Sequence, residues 1–200
     1  MTRPGSSGEQ RAQERFGTSA RAAAFYAHQT LPHLNPRMQQ FIARMDMVFI
    51  ATADGKGACD CSFRAGEPGF VQVLDEKTLV YPEYRGNGVL ASLGNILENP
   101  HIGLMFPDFY QSTVGLHVNG TARVLNPSET ESLSQLPARI AEAAHIKGGR
   151  HPKAWVLIGV EEAYIHCSKH VPLLKRLDKQ IAWGSDDEQA KGGNFFKVTP

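Results

Sequence analysis

A cation, a turn-forming amide, a glycine and a hydroxyl fall in one short stretch: Arg85, Asn87, Gly88 and Ser92. They belong to the segment Tyr81-Pro-Glu-Tyr-Arg-Gly-Asn-Gly-Val-Leu-Ala-Ser-Leu-Gly-Asn-Ile-Leu-Glu-Asn-Pro100. Its pattern predicts a strand end, a glycine-flanked turn and a short amphipathic helix stopped at Asn99-Pro100. Val89, Leu93, Ile96 and Leu97 share one helical face. Asn87 is placed to cap the helix, with Gly86 and Gly88 allowing a tight turn beside it. Free amides at such a helix start, next to Arg85 and Ser92, suit an anion, most naturally a phosphate. The same residues also describe a capped helix that binds nothing.

Other residues offer chemistry at a distance along the chain. Arg64 lies beside a glycine turn and is either a solvated surface arginine or a bidentate anion contact. His117 falls on the polar phase of an alternating strand, where it lines a groove or meets water. Trp155 and Trp183 suit packing in a core or an interface. The run His166-Cys-Ser-Lys-His170 joins imidazole, thiol and ammonium groups. Cys59 and Cys61, two apart on a strand, point to one face, unlike the turn-borne cysteine pairs of structural zinc sites. No metal site is expected, and no general base can be assigned.

These residues need a scaffold, and the chain is long enough to supply one. Two hundred residues with 42% hydrophobic and 20% charged content describe one globular domain with a real core. A net charge of +1 argues against a nucleic-acid partner. No apolar run reaches the roughly 20 residues that span a bilayer. The polar start is unlike a signal peptide, and three cysteines do not make a disulfide framework, so a cytoplasmic setting is expected.

A helical arm is expected over 1–34, with Glu9 to about His28 helical and Gly17 its weak point. Asn35-Pro36 opens a second helix with Met38, Phe41, Ile42 and Met45 on its apolar face. Strands follow at Met47–Ala53, Cys59–Arg64, Phe70–Leu74, Thr78–Tyr81, His101–Phe106, Gly115–Leu125 and Trp155 to about Ile165. Ser128 and Glu131 form a capping-box pattern, and Pro137 breaks the helix it opens. Residues 147–153 read as a basic loop. A final helix is expected over Val171–Trp183, and a loosely held tail over 184–200. Short strands joined by hairpins imply a mainly β (α+β) fold, a six- to seven-stranded antiparallel barrel with flanking helices spanning 35–183.

Several of these pieces, in register, resemble the pyridoxamine 5′-phosphate oxidase-like family of FMN-binding split barrels. They are Phe49-Ile-Ala-Thr-Ala-Asp-Gly55, Asp60-Cys-Ser-Phe-Arg-Ala-Gly-Glu-Pro-Gly-Phe70, Thr78-Leu-Val-Tyr-Pro, Gly86-Asn-Gly, Ser92-Leu-Gly-Asn-Ile and Leu116-His-Val-Asn-Gly-Thr-Ala-Arg123. The likeness runs from about Asn35 to His170 and is strongest to a flavin-nucleotide-binding branch with PEYRGNG-like and HCSKH-like segments. It implies a homodimer holding FMN in two interface grooves. It implies that strand 58–64, with Cys61, Ser62, Phe63 and Arg64, lies along the flavin ring. It implies that the turn and helix 85–95, with Arg85, Asn87, Gly88, Ser92 and Asn95, meet the ribityl phosphate, that Tyr81, Pro82 and His117 also belong to the cofactor site, and that Lys169 or His170 lies near the cofactor. The chain departs from true pyridoxamine phosphate oxidases. Ala91-Ser92 stands where they carry an Arg-Lys pair, and their C-terminal Trp and Arg motif is not recognisable. The implied activity is therefore a flavin-dependent oxidoreductase acting on an unassigned small molecule with an unassigned electron donor. The alternatives are a non-catalytic flavin carrier or sensor, or the same barrel holding F420 or haem, with His117, His166 or His170 as axial candidates.

Overall fold

The computed structural model describes residues 4–130, 138, 152–179, 187, 189, 192–193 and 195–198. The N-terminal arm is two helices, α1 (Ser7–Arg15) and α2 (Ser19–Gln29). They divide at Gly17, whose φ of +68° is in the left-handed region that glycine tolerates. Ser6 and Glu9 form a reciprocal capping box at the start of α1. The arm ends in a two-residue strand, β1 (Thr30–Leu31), absent from the expected seven.

Helix α3 (Pro36–Arg44) opens as anticipated: the Asn35 side chain accepts from Met38 N and Pro36 takes the first turn. The barrel strands are β2 (Met47–Ala53), β3 (Cys59–Ala65), β4 (Gln72–Asp75), β5 (Thr78–Glu83), β6 (His101–Pro107), β7 (Gly115–Leu125) and β8 (Ala154–His166). All pair antiparallel in the order β3-β2-β6-β7-β8-β5-β4, with β1 added to β8. The fold is thus the mainly β split barrel with flanking helices. The alternation expected for β7 holds, and a bulge at Asn119/Gly120 adjusts its register to β8. One apolar cluster fills the barrel, including Ile42, Val48, Ile50, Tyr81, Ile96, Phe106, Val118 and Ile158. A smaller one joins Val80, Leu125 and Trp155 on the opposite face.

The sheet has two ends, β3 and β4, and among the described residues no backbone ladder joins β3 to β4 or β5. The barrel is split there. Helix α4 (Ala91–Glu98) packs beside this split, on β2, β3 and β7.

Three local expectations need correction. Helix α4 begins later than the sequence suggested, because Leu90 takes the left-handed N-cap position without any side-chain cap. Asn87 instead accepts from Val89 N in a short Asx turn. Val89 and Leu97, placed on the buried face by the earlier start, are 72% and 77% exposed. After Leu125 a short helix, α5 (Pro127–Thr130), begins before the expected cap at Ser128. The Glu129 side chain accepts from Asn126 N, and Ser128 lies inside the helix; Glu131 lies outside the described residues. Beyond β8 a 3-10 turn covers Ser168–His170, and 171–179 is not helical. That segment is a strap: Leu174 N donates to Phe109 O, and Arg176 pairs with Asp46 and lies over Tyr110. Leu173 and Leu177 are exposed on it. Pro137, Trp183 and residues 147–151 lie outside the described residues.

Candidate functional site

Alternation divides β3 into two sets of side chains. Cys59, Cys61 and Phe63 project to the outer face of the sheet; Asp60, Ser62 and Arg64 turn towards α4 and the split. The expected site residues of this strand therefore do not share a face.

The inward set forms a polar chain across the split. Ser62 Oγ donates to Asp60 Oδ2 at 2.9 Å. Ser92 Oγ lies 3.3 Å from both Asp60 Oδ2 and Ser62 Oγ. The Arg64 Nη2 donates to Ser92 Oγ at 3.3 Å, its Nη1 to the Phe63 carbonyl at 3.1 Å, and its Nε to both Glu83 carboxylate oxygens at 3.1 and 3.0 Å. The Arg64 and Glu83 side chains are 24% and 7% exposed. Burial pushes the Glu83 carboxyl above its ordinary range, and the attraction of Arg64 offsets only part of that rise. Tyr81, on the same phase of β5, is fully buried, and among the described residues its hydroxyl has no hydrogen-bond partner. Burial, then the charge of Glu83, raises its pKa.

Ser92 is held in place because its helix is. Leu93 and Ile96 are buried, and Asn95 Nδ2 donates to the buried Thr52 Oγ1 at 3.0 Å. Asn95 thus anchors α4 to β2. The first helical bond is donated by Gly94 to Leu90, so the amides of Ala91, Ser92 and Leu93 precede it. Arg85, Asn87 and Gly88 sit in the exposed loop leading to this start, where Gly88 N donates to Arg85 O. Pro82 lies on the other phase of β5, opposite Trp155 in β8.

The outer face carries a second alignment. Register places Phe63, Phe49, Met105, His117 and Tyr164 opposite one another across β3, β2, β6, β7 and β8. Phe63 and Phe49 pack at 5.4 Å, and His117 stacks on Tyr164 at 4.8 Å. His117 Nε2 and His166 Nδ1 are 2.9 Å apart. Burial and the neighbouring His166 lower the His117 pKa. Lys169 is exposed in the 3-10 turn, where its backbone N–H meets Cys167 Sγ. Among the described residues no three His, Cys, Asp or Glu side chains converge as a metal site.

Sequence reasoning brought Arg64 and Ser92 together but missed Glu83 and Asp60. Both were visible in phase: Glu83 continues the inward series Leu79, Tyr81, and Asp60 the series Ser62, Arg64.

A family model described as pyridoxamine 5′-phosphate oxidase matches residues 34–167. The chain belongs to that family. The split barrel is the fold of that family. Solved structures with similar folds include HupZ from Group A Streptococcus, 24% identical over 66% of this chain and 99% of that one, with a TM-score of 0.48. A protein of the pyridoxinephosphate oxidase family from Clostridium acetobutylicum is 15% identical over 65% and 85%, at 0.44. HutZ, a heme storage protein from Vibrio cholerae, is 13% identical over 64% and 89%, at 0.37. Comparison with curated protein sequences gives no match. Among the described residues no helix is long and apolar enough to cross a membrane.

Proposed function

We propose that this chain binds FMN at the β3–α4 junction and serves as a flavin-dependent oxidoreductase on a small molecule. The observation that carries this reading is the meeting of Arg64 and Ser92 at 3.3 Å beside the first amides of α4. The residues fit a phosphate. Three of the five guanidinium N–H groups of Arg64 are engaged, leaving one on each terminal nitrogen. The Ser92 hydroxyl and the α4 amides add neutral donors. Asp60 repels an anion, which favours the Arg64 side of Ser92 for the phosphate. Its acceptor oxygens suit the hydroxyls of a ribityl chain. Because β3 is a free edge, one extended ligand can reach both its inward polar set and the outward Phe63.

The bound flavin would supply hydride and electron transfer; the protein contributes binding, orientation and electrostatics. The outer row from Phe63 to Tyr164, with Phe63 53% exposed, suits burial against a second copy. Light scattering should show a dimer, and a species of only 21.9 kDa would refute that.

The test of the flavin reading is a titration of FMN and riboflavin against wild type, Ser92→Ala and Arg64→Lys. Lysine keeps the charge but loses the fork. FMN should weaken about tenfold in each variant and riboflavin less than about twofold, since a charged hydrogen bond is worth about 1.5–3 kcal/mol. Equal losses for both ligands refute the phosphate contact. If wild type binds neither, the flavin reading fails, and an absorbance spectrum of the protein purified from cells decides between F420 and haem. Axial ligation through His117 Nε2 or His166 Nδ1 requires breaking their mutual contact.

A further inference from the structure

We propose that Glu83 is the positioning residue for Arg64, fixing the guanidinium so that its two remaining N–H groups serve the flavin phosphate. This rests on the flavin reading above and assigns a role to a residue outside the expected set.

The geometry is unlike that of an ion pair built for strength alone. A carboxylate best matches two parallel N–H groups of a guanidinium, one to each oxygen. Here both oxygens of Glu83 converge on the single Nε–H of Arg64. That choice leaves both terminal nitrogens without a bond to the carboxylate. Nη1 is tethered to the Phe63 carbonyl and Nη2 to Ser92 Oγ. Each nitrogen thus has one anchor, and three anchors fix a planar group in position and in rotation.

The anchor lies across the split from Arg64 and is buried. Glu83 ends β5, pairs there with Ala154 of β8, is 5% exposed, and its carbonyl accepts from Lys153 N at 2.7 Å. Arg64 is on β3, an edge strand with one neighbour. Without a hold across the split, a long side chain on an edge strand samples many rotamers, and ordering it on binding costs affinity. Glu83 meets that cost in advance, during folding.

A negative charge beside a phosphate site makes the test decisive in sign. If Glu83 is only a nearby charge, neutralising it relieves repulsion and FMN binds more tightly. If it positions Arg64, neutralising it frees the guanidinium and FMN binds more weakly. FMN and riboflavin are titrated by fluorescence quenching against full-length wild type, Glu83→Gln and Glu83→Asp, with circular dichroism melts alongside. Glu83→Asp keeps the charge and withdraws it by one methylene, so it serves if the glutamine variant does not fold.

We expect both variants to weaken FMN about five- to tenfold and riboflavin less than about twofold. In an Arg64→Lys background, Glu83→Gln should leave the FMN-to-riboflavin ratio unchanged. Tighter or unchanged FMN binding in Glu83→Gln and Glu83→Asp overturns the proposal while leaving the flavin reading intact. Equal losses for FMN and riboflavin overturn it too, since they report a structural role. A wild type that binds neither ligand overturns both.

Discussion

Removing Arg64 should destabilise the protein chiefly by what it leaves behind. Arg64→Ala deletes the only cation within hydrogen-bonding distance of Glu83 among the described residues, in a site where that carboxylate is 7% exposed. Breaking a buried pair from one side costs about 3–5 kcal/mol. The lower end applies because Arg64 is itself 24% exposed and its loss admits some water to Glu83. About 3 kcal/mol at neutral pH corresponds to a fall in Tm of roughly 6–12 °C for a chain of this size. The double variant Arg64→Ala/Glu83→Gln should recover more than half of that, since no charge is then stranded. The pH dependence has a definite sign. Burial raises the Glu83 pKa when folded, so its cost is fully present above that pKa and is relieved as pH falls towards the ordinary carboxylate range. Loss of Arg64 removes an influence that lowers it, so the gap between Arg64→Ala and wild type should narrow on mild acidification. Thermal melts by circular dichroism from neutral pH down to about 5 would measure this. A gap independent of pH, or a double variant as unstable as the single one, would show that Arg64 acts through packing and not through charge.

Gly120→Ala should unfold the β7–β8 bulge, because a Cβ there collides with the Gly159 carbonyl oxygen; a melt should show a loss of more than about 3 kcal/mol. Thr113, a β-branched residue at φ +54°, should gain up to about 1 kcal/mol on replacement by glycine, and an unchanged or lower midpoint in urea would contradict that. Asp108 accepts from the backbone N–H groups of Tyr110, Gln111 and Ser112 and from the Ser112 hydroxyl. Burial raises its pKa, but hydrogen bonds from Ser112, Tyr110 and Gln111 outweigh that and leave it lowered. Its stabilisation is therefore present above the unfolded pKa and lost as pH falls through the folded one. Asp108→Ala should cost about 2–3 kcal/mol near pH 7 and reduce the protein's sensitivity to acid.

The barrel was legible because its evidence is periodic and local. β7 alternates over its length, and Asn35-Pro36 marks the start of α3 by its own chemistry. The errors fall where the deciding contact is distant in sequence or the local signal has two equivalent registers. Glycines at 86 and 88 both permit a turn, and Asn87 satisfies itself on Val89 N, so neither says where α4 begins. Leu173, Leu174 and Leu177 carry helical spacing, yet 171–179 is tied down as a strap by Phe109 and Asp46, far back in the chain. In the site, Arg64 and Ser92 were each legible as anion contacts. The pairing of Arg64 with Glu83 was not, because no backbone ladder crosses the split to announce which side chains face one another there.

The sheet order also sets a timetable for synthesis. Among the described residues β8 is the last strand made, yet it stands between β7 and β5 and carries β1 as well. β5 therefore emerges with only the short β4 beside it and waits for its main partner until about eighty more residues have been added. At ribosomal rates of about 5–20 residues per second, that interval is roughly 4–16 s. Through it, the chain carries β5 with one edge unpaired and Leu79 and Tyr81 uncovered, the kind of strand that pairs with a neighbour's. Release from the ribosome before β8 is complete should therefore yield aggregated, not partly folded, protein.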